Sequence, residues 1–144
     1  MLLLQRTPPW LRWSLTAGWA GVIFLASATP NLRVVPLAQR FGFLPAMLGL
    51  EATGLLELVL RKGAHMFSFG MLALLLAFAL STGRVPARRV VLTAFGLTVL
   101  YALTDEYHQT FVPTREGTFR DVFIDATGAA IALALNLVRS ARPH

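Results

Sequence analysis

Long apolar blocks separated by short polar turns are the feature that most restricts how this chain can fold. Four blocks lie at residues 10–28, 62–80, 88–109 and 121–138. Each approaches the roughly 20 residues that an α-helix needs to cross about 30 Å of hydrocarbon. An α-helix also satisfies its own backbone hydrogen bonds, as a lipid environment requires. The pattern therefore predicts an all-α fold, an integral membrane four-helix bundle that forms a single domain over residues 1–144.

The composition agrees with a membrane protein and excludes several other classes. Charged residues make up 14% of the chain, whereas soluble domains contain about 25%, and the mean hydropathy is +0.62. The net charge of +6 comes from arginines scattered between apolar blocks. Because no basic helix face results, we expect no nucleic-acid partner. The chain has no cysteine, which removes disulfides, thiol nucleophiles and Cys-based metal sites.

The basic residues predict how the bundle is oriented in the membrane. With four spans, both termini and the turn at residues 81–89 share one side, which carries seven of the 13 Lys and Arg residues and none of the seven acids. Since positively charged turns stay in the cytoplasm, we predict cytoplasmic termini and an outward-facing opposite end. The first block, followed by Ala26-Ser27-Ala28, also fits a cleavable signal peptide. Its length and flanking tryptophans favour a membrane span instead.

Ionisable side chains gather at one depth on three helices. In the third block, the apolar stretch from Val90 to Leu103 has only 14 residues before Asp105 is reached, which is roughly 21 Å of helix. Measured from the far ends of their own blocks, His65 and Asp125 lie roughly 22 Å and 20 Å along their helices. Lys62 and Asp121 lie about one turn further on. Charges at this depth usually face the bundle interior, so we predict a polar cluster near the outer face.

The cluster has residue types suited to catalysis, to binding or to helix fastening. Carboxylates and imidazoles can transfer protons, and the candidate catalytic residues are Asp105, Glu106, His65 and Asp125. Cations and hydrogen-bonding side chains can hold a phosphate or another polar headgroup, and the candidate binding residues are Lys62, Gln109, Arg115, Arg120 and Asp121. Ion pairs among the same groups can instead serve helix packing alone. That structural role is the alternative to a functional site.

Two other functions fit the residue pattern less well. Suitable ligand types for a divalent cation are present, at His65, His108, Glu106, Asp121 and Asp125. They lack a diagnostic spacing such as HExxH, so the sequence assigns no metal site and names no cofactor. A proton-coupled carrier would also use buried carboxylates, but neither a midplane polar group nor an inverted repeat accompanies them.

Small residues predict where helices pack closely. Gly128 and the alanines that follow it form a small-residue face in the last block, and Gly63 and Gly70 are candidates for the same role in the second block. In lipid, small residues allow helix backbones to approach each other. We therefore expect close contacts at all three glycines.

The polar segments resemble those of a known family of membrane proteins. Residues 62–67 (KGAHMF) look like the K-x-x-H-F segment of VanZ-like proteins, a family named for a teicoplanin-resistance protein. Residues 105–115 (DEYHQTFVPTR) look like the family's D-E-x-x-Q-x-F-x-P-x-R signature, and residues 121–128 (DVFIDATG) match its D-V and (D/N)-x-x-G elements. Residues 25–30 (LASATP) resemble the close of its first helix. Residues 36–60 are longer than the family pattern, and we expect a re-entrant or surface helix there.

The resemblance implies a multi-pass protein of the bacterial inner membrane with four spans. For some members it implies lowered susceptibility to glycopeptides such as teicoplanin. Carried over residue by residue, the motifs mark Lys62, His65, Asp105, Glu106, Gln109, Arg115, Asp121 and Asp125. We therefore expect a cell-envelope protein whose polar cluster engages a phospholipid or cell-wall precursor headgroup, with membrane lipids as partners. The resemblance does not indicate whether the site is enzymatic.

Overall fold

The computed structural model describes residues 7–30, 54–81 and 85–141, which form four α-helices and no strand. These helices are α1 (Pro9–Ser27), α2 (Gly54–Leu80), α3 (Ala87–Gln109) and α4 (Phe119–Ala141). The all-α prediction is confirmed. Helix α2 begins at Gly54, N-terminal to the predicted span. Of the surface helix predicted within residues 36–60, the part before Gly54 lies outside the described residues.

Three of the helices are long and apolar enough to cross a membrane. They are the part of α2 from Leu58 to Leu80, the whole of α3, and α4 as far as Ser140. Helix α1 has 19 residues. It contains Arg12 and three tryptophans and is not among these three helices.

Large apolar side chains cover the outside of the bundle. Leu25, Leu100 and Phe123 are 67%, 58% and 74% exposed, an arrangement that water-soluble proteins avoid over large areas. The side chains with no exposed surface are instead small or polar, namely Ala73, Ala94, Ala102, Ala129, Thr98 and Asp125. Small residues and internal hydrogen bonds are what hold helices together in lipid. The outer surface therefore suits contact with acyl chains.

The most extensive helix contact joins α2 and α4 and depends on two glycines. A Cβ atom on Gly128 would lie 2.2 Å from the carbonyl oxygen of Met66, and one on Gly70 would lie 3.1 Å from the carbonyl oxygen of Gly128. The two backbones therefore touch where the sequence predicted close packing. Gly63 has no atom within 4 Å of its Cβ position, so the prediction for Gly63 is wrong. Its side of α2 is exposed, which the residue type alone does not reveal.

Polar contacts fix α1 antiparallel to α2. The Arg12 guanidinium donates a hydrogen bond to the Ser81 carbonyl oxygen at 2.7 Å and lies 4.9 Å from the centre of the Phe78 ring. Nearer the middle of the bundle, the Trp19 indole donates to the Ser68 carbonyl oxygen at 2.9 Å. The start of α1 and the turn after α2 thus share one end. The other end joins the C-termini of α1 and α3 to the N-terminal halves of α2 and α4.

The close approach of α2 and α4 predicts that Gly128→Ala lowers thermal stability. The added methyl group must displace the backbone at Met66, and such overpacking typically costs about 1–3 kcal/mol. The measurement is the unfolding midpoint of the purified protein in detergent. Gly63→Ala makes the same chemical change in open space, so its midpoint should not fall. Equal midpoints for both variants would show that the crossing tolerates a side chain.

Candidate functional site

Two acidic side chains of α4 face two basic side chains of α2. Asp121 and Asp125 are four residues apart and therefore lie on one helix face. Lys62 Nζ forms an ion pair with Asp121, and His65 Nδ1 lies 3.3 Å from Asp125 Oδ1. Asp125 has no exposed surface. The structure thus brings four of the predicted site residues together as two neighbouring pairs.

Asp105 connects α3 to α1. One of its carboxylate oxygens accepts a hydrogen bond from the Ser27 hydroxyl at 2.6 Å, and the other accepts one from the Gln109 side-chain amide at 3.0 Å. Gln109 lies one turn further along α3, on the same face. The sequence patterns did not predict a site role for Ser27, although this residue lies in the 25–30 segment that carries part of the family resemblance. Both oxygens of this buried carboxylate are therefore bonded by neutral donors.

Glu106 points in a different direction from Asp105, since consecutive residues of an α-helix are rotated by about 100°. Its Oε2 atom accepts a hydrogen bond from the Thr118 backbone N–H at 2.9 Å. Its Oε1 atom is buried without a hydrogen-bond partner. Glu106, His65 and Asp125 each offer one possible ligand atom, and these three atoms lie within 4.8 Å of one another. Three predicted catalytic residues from three helices therefore converge.

The loop after α3 folds back over the helix ends because two of its residues have special backbone requirements. A Cβ atom on Gly117 would lie 2.0 Å from the carbonyl oxygen of Glu106, so only glycine allows this approach. Thr114 has a φ of 69°, in the left-handed region that β-branched residues rarely adopt. Strained backbone of this kind persists where the surrounding structure holds it in place. The loop is therefore fixed in position beside the polar cluster.

Arg115, in that loop, is anchored to the C-terminal end of α1. Its guanidinium donates hydrogen bonds to the carbonyl oxygens of Ala26 at 2.9 Å and Thr29 at 3.2 Å. Burial lowers the pKa of Arg115 from its ordinary value, and the positive charge of Arg61 lowers that pKa further. Two cationic side chains therefore lie near each other at this end of the bundle.

Both arginines line a cavity of about 100 Å³ between α1, α2 and α3. The apolar part of its wall is Ile23, Ala26, Ala64 and Phe69, and the polar part is Ser27, Arg61, His65, Ser68, Asp105 and Arg115. The Nε atom of Arg61 is buried without a hydrogen-bond partner. The sequence patterns did not predict a site role for Arg61. Arg61 lies four residues before His65, which places both residues on one helix face. This spacing could have predicted a site role for Arg61.

Other residues place this end of the bundle relative to the membrane surface. Tyr107, Phe111 and Phe119 are 69%, 68% and 79% exposed around the cluster. Exposed aromatic rings at a span end are typical of the interface between acyl chains and headgroups. Arg120 is also exposed and takes no part in the contacts of the cluster, so the structure does not bring this predicted binding residue into the site. These exposed rings are consistent with the depth predicted for the cluster, near the headgroups.

Comparison with known proteins identifies the family. A model of the VanZ/LLP1 family matches residues 8–139. Because the match covers nearly the whole chain, the protein belongs to this family, and the resemblance drawn from the polar segments is confirmed. Comparisons with curated proteins and with solved structures gave no match. The family and the apolar helices together establish a VanZ-like membrane protein, and a link to teicoplanin resistance stays a prediction.

The pair formed by Lys62 and Asp121 predicts a coupled effect on stability. Lys62→Met leaves the Asp121 charge, which is 9% exposed, without its partner, and we expect a loss of about 1–3 kcal/mol. Adding Asp121→Asn removes that charge and should restore most of the loss. The measurement is a double-mutant cycle of unfolding in detergent. Arg120→Met, at a nearby exposed site, should have little effect, and additive effects of the two substitutions would show that the pair is not coupled.

Proposed function

We propose that the protein binds the phosphate-bearing headgroup of an envelope lipid or a lipid-linked cell-wall precursor in the cavity between α1, α2 and α3. The observation that carries this proposal is the presence of Arg61 and Arg115 in one partly apolar cavity. Guanidinium groups hold phosphate oxygens through paired, charge-assisted hydrogen bonds. The apolar wall suits the first carbons of a lipid chain. The cavity therefore offers cationic groups for a phosphate and an apolar wall for the start of an acyl chain.

The electrostatics of the two arginines support an anionic ligand. Like charges repel, and the Arg61 charge lowers the pKa of Arg115, while the charges of Asp105 and Glu106 raise that pKa. Arg115 is held by the carbonyl oxygens of α1, whereas Arg61 keeps a buried Nε donor without a partner. A phosphate would satisfy that donor and neutralise the pair. Ser27 and Ser68 add hydroxyl groups to the same wall.

Depth and orientation support the same ligand class. The exposed aromatic rings around the cluster support a position of the cavity near the headgroup layer. The distribution of basic residues supports an outward orientation of this end, towards the side on which wall precursors are used. A headgroup site there would also account for a link between this family and glycopeptide susceptibility. Whether the bound lipid is chemically altered is a separate question from binding.

A purely structural role is the second candidate, and specific contacts favour it. The pair of Lys62 with Asp121 joins α2 to α4, and Asp105 joins α3 to α1. These interactions would fasten the bundle without any ligand. Under this alternative, loss of the cavity arginines would leave lipid binding unchanged.

We expect Arg61→Gln and Arg115→Gln each to weaken binding of an anionic phospholipid by about tenfold, since a hydrogen bond to a charged group contributes about 1.5–3 kcal/mol. The measurement is a titration of the detergent-solubilised protein with fluorescent phosphatidylglycerol. Competition with a polyprenyl diphosphate distinguishes a phospholipid from a wall-precursor ligand. Arg120→Gln, an exposed arginine at the same end, is the matched control. An equal loss in the control, or no loss in Arg61→Gln, would contradict the proposed site.

The predicted orientation can be tested directly, because the chain has no cysteine of its own. Glu116→Cys, exposed in the loop after α3, should react with a membrane-impermeant maleimide on intact cells. Arg88→Cys, exposed at the start of α3, should react only after lysis. The opposite labelling pattern would place the cavity on the cytoplasmic side.

A further inference from the structure

Three ligand-type side chains meet inside the bundle with polar atoms that have no hydrogen-bond partner. They are His65 of α2, Glu106 of α3 and Asp125 of α4, and one possible ligand atom from each lies within 4.8 Å of the others. Asp125 is 0% exposed and Glu106 is 4% exposed. Among the described residues, no hydrogen bond reaches His65 Nδ1, Glu106 Oε1 or either carboxylate oxygen of Asp125, although His65 Nδ1 and Asp125 Oδ1 lie 3.3 Å apart. Buried polar groups are normally bonded. We infer that these three residues form a binding site for a divalent transition-metal ion.

The charges around the three residues call for a cation. Among the described residues, the Asp121 charge is paired with Lys62, and Asp105 is bonded by the Ser27 hydroxyl and the Gln109 amide. Glu106 and Asp125 have no Lys or Arg partner within the same part of the chain, and the basic side chain beside them is His65, whose Nδ1 atom lies 3.3 Å from Asp125 Oδ1. A protonated His65 would carry one positive charge against two carboxylates. Burying an unpaired carboxylate costs several kcal/mol. One doubly charged ion would compensate both carboxylates at once.

The distance between two of the residues already matches metal coordination. Zinc is bound by imidazole nitrogen and carboxylate oxygen at about 2.0–2.2 Å with tetrahedral angles, which separates neighbouring ligand atoms by roughly 3.3–3.5 Å. His65 Nδ1 and Asp125 Oδ1 are 3.3 Å apart, yet neither has a directed hydrogen bond. One possible ligand atom of Glu106 lies within 4.8 Å of a ligand atom on each of these two residues.

Neighbouring groups hold the proposed ligands in orientation. The Thr118 backbone N–H bonds Glu106 Oε2 at 2.9 Å and leaves Oε1 free for an ion. The His65 ring lies nearly parallel to that of Phe69, with the two planes 16° apart and the centroids 6.3 Å apart. Metal ligands are commonly fixed by such outer contacts. The site is therefore supported from two sides.

One His and two carboxylates suit Zn²⁺, with Mn²⁺ as the next most suitable ion. Three protein ligands leave one coordination position open, as in catalytic zinc sites. His65 also lines the arginine cavity, so the ion would lie beside it. This inference departs from the sequence-based expectation of no metal site. It does not rest on the proposed lipid function, because Glu106 and Asp125 are not among the cavity-lining residues.

The test is a titration of the purified full-length protein with Zn²⁺ in detergent after treatment with a chelator. We expect about one Zn²⁺ per chain by elemental analysis and a higher unfolding temperature when the ion is bound. Glu106→Gln and Asp125→Asn should each weaken binding by at least about tenfold. Glu116→Gln is the matched control, since it removes an exposed carboxylate in the loop after α3, and it should retain the ion.

Cobalt gives a readout that does not require stable variants. Co²⁺ bound to wild-type protein at one nitrogen and two oxygens should show the visible absorption of a low-symmetry site, and Zn²⁺ should displace it. The inference would be overturned if the wild-type protein bound none of Zn²⁺, Mn²⁺ and Co²⁺ stoichiometrically. It would also be overturned if Glu106→Gln and Asp125→Asn bound the ion as tightly as the wild-type protein. Arg61→Gln should lose lipid binding and keep the ion, so failure of one proposal is separable from failure of the other.

Discussion

Burial of charge in a lipid environment is the constraint on which the rest of this bundle depends. Four carboxylates lie at one end, and their side chains have three different kinds of neighbour. Asp121 pairs with Lys62, Asp105 is bonded by neutral side chains, and Glu106 and Asp125 converge with His65. Because these contacts join side chains of different helices, the carboxylates align the ends of all four helices. Elsewhere alanines and large apolar side chains such as Phe69 and Leu133 fill the core.

The sequence predicted the helices and the depth of the polar groups, because both follow from counting along one chain. Block length indicates a span, and distance from a block end indicates depth. Which side chains of different helices meet depends on how each helix is rotated about its own axis. The length of an apolar block does not determine this rotation. For that reason Ser27 and Arg61 received no site role, and Gly63 was assigned a contact that Gly70 and Gly128 make. The structure also leaves Arg120 outside the cluster, because it lies on an exposed part of the first turn of α4.

Two proposed sites share one side chain. His65 lies between the arginine cavity and the two carboxylates, so a ligand at one site would influence the charge at the other. An ion with an open coordination position beside a bound phosphate can polarise a phosphoryl oxygen. Arginines that hold the headgroup and carboxylates that hold an ion would then have separate tasks, which explains why charges of both signs are kept at the same depth.

The contact between Gly128 and Met66 has a consequence for how this protein tolerates inherited change. This contact sets the register of α4 along α2. The pairs of Lys62 with Asp121 and His65 with Asp125 join the same two helices. A side chain at Gly128 would therefore shift both pairs without altering any charged residue. In a genetic screen such an allele would be indistinguishable by phenotype from the loss of a charged residue, although position 128 carries no functional group.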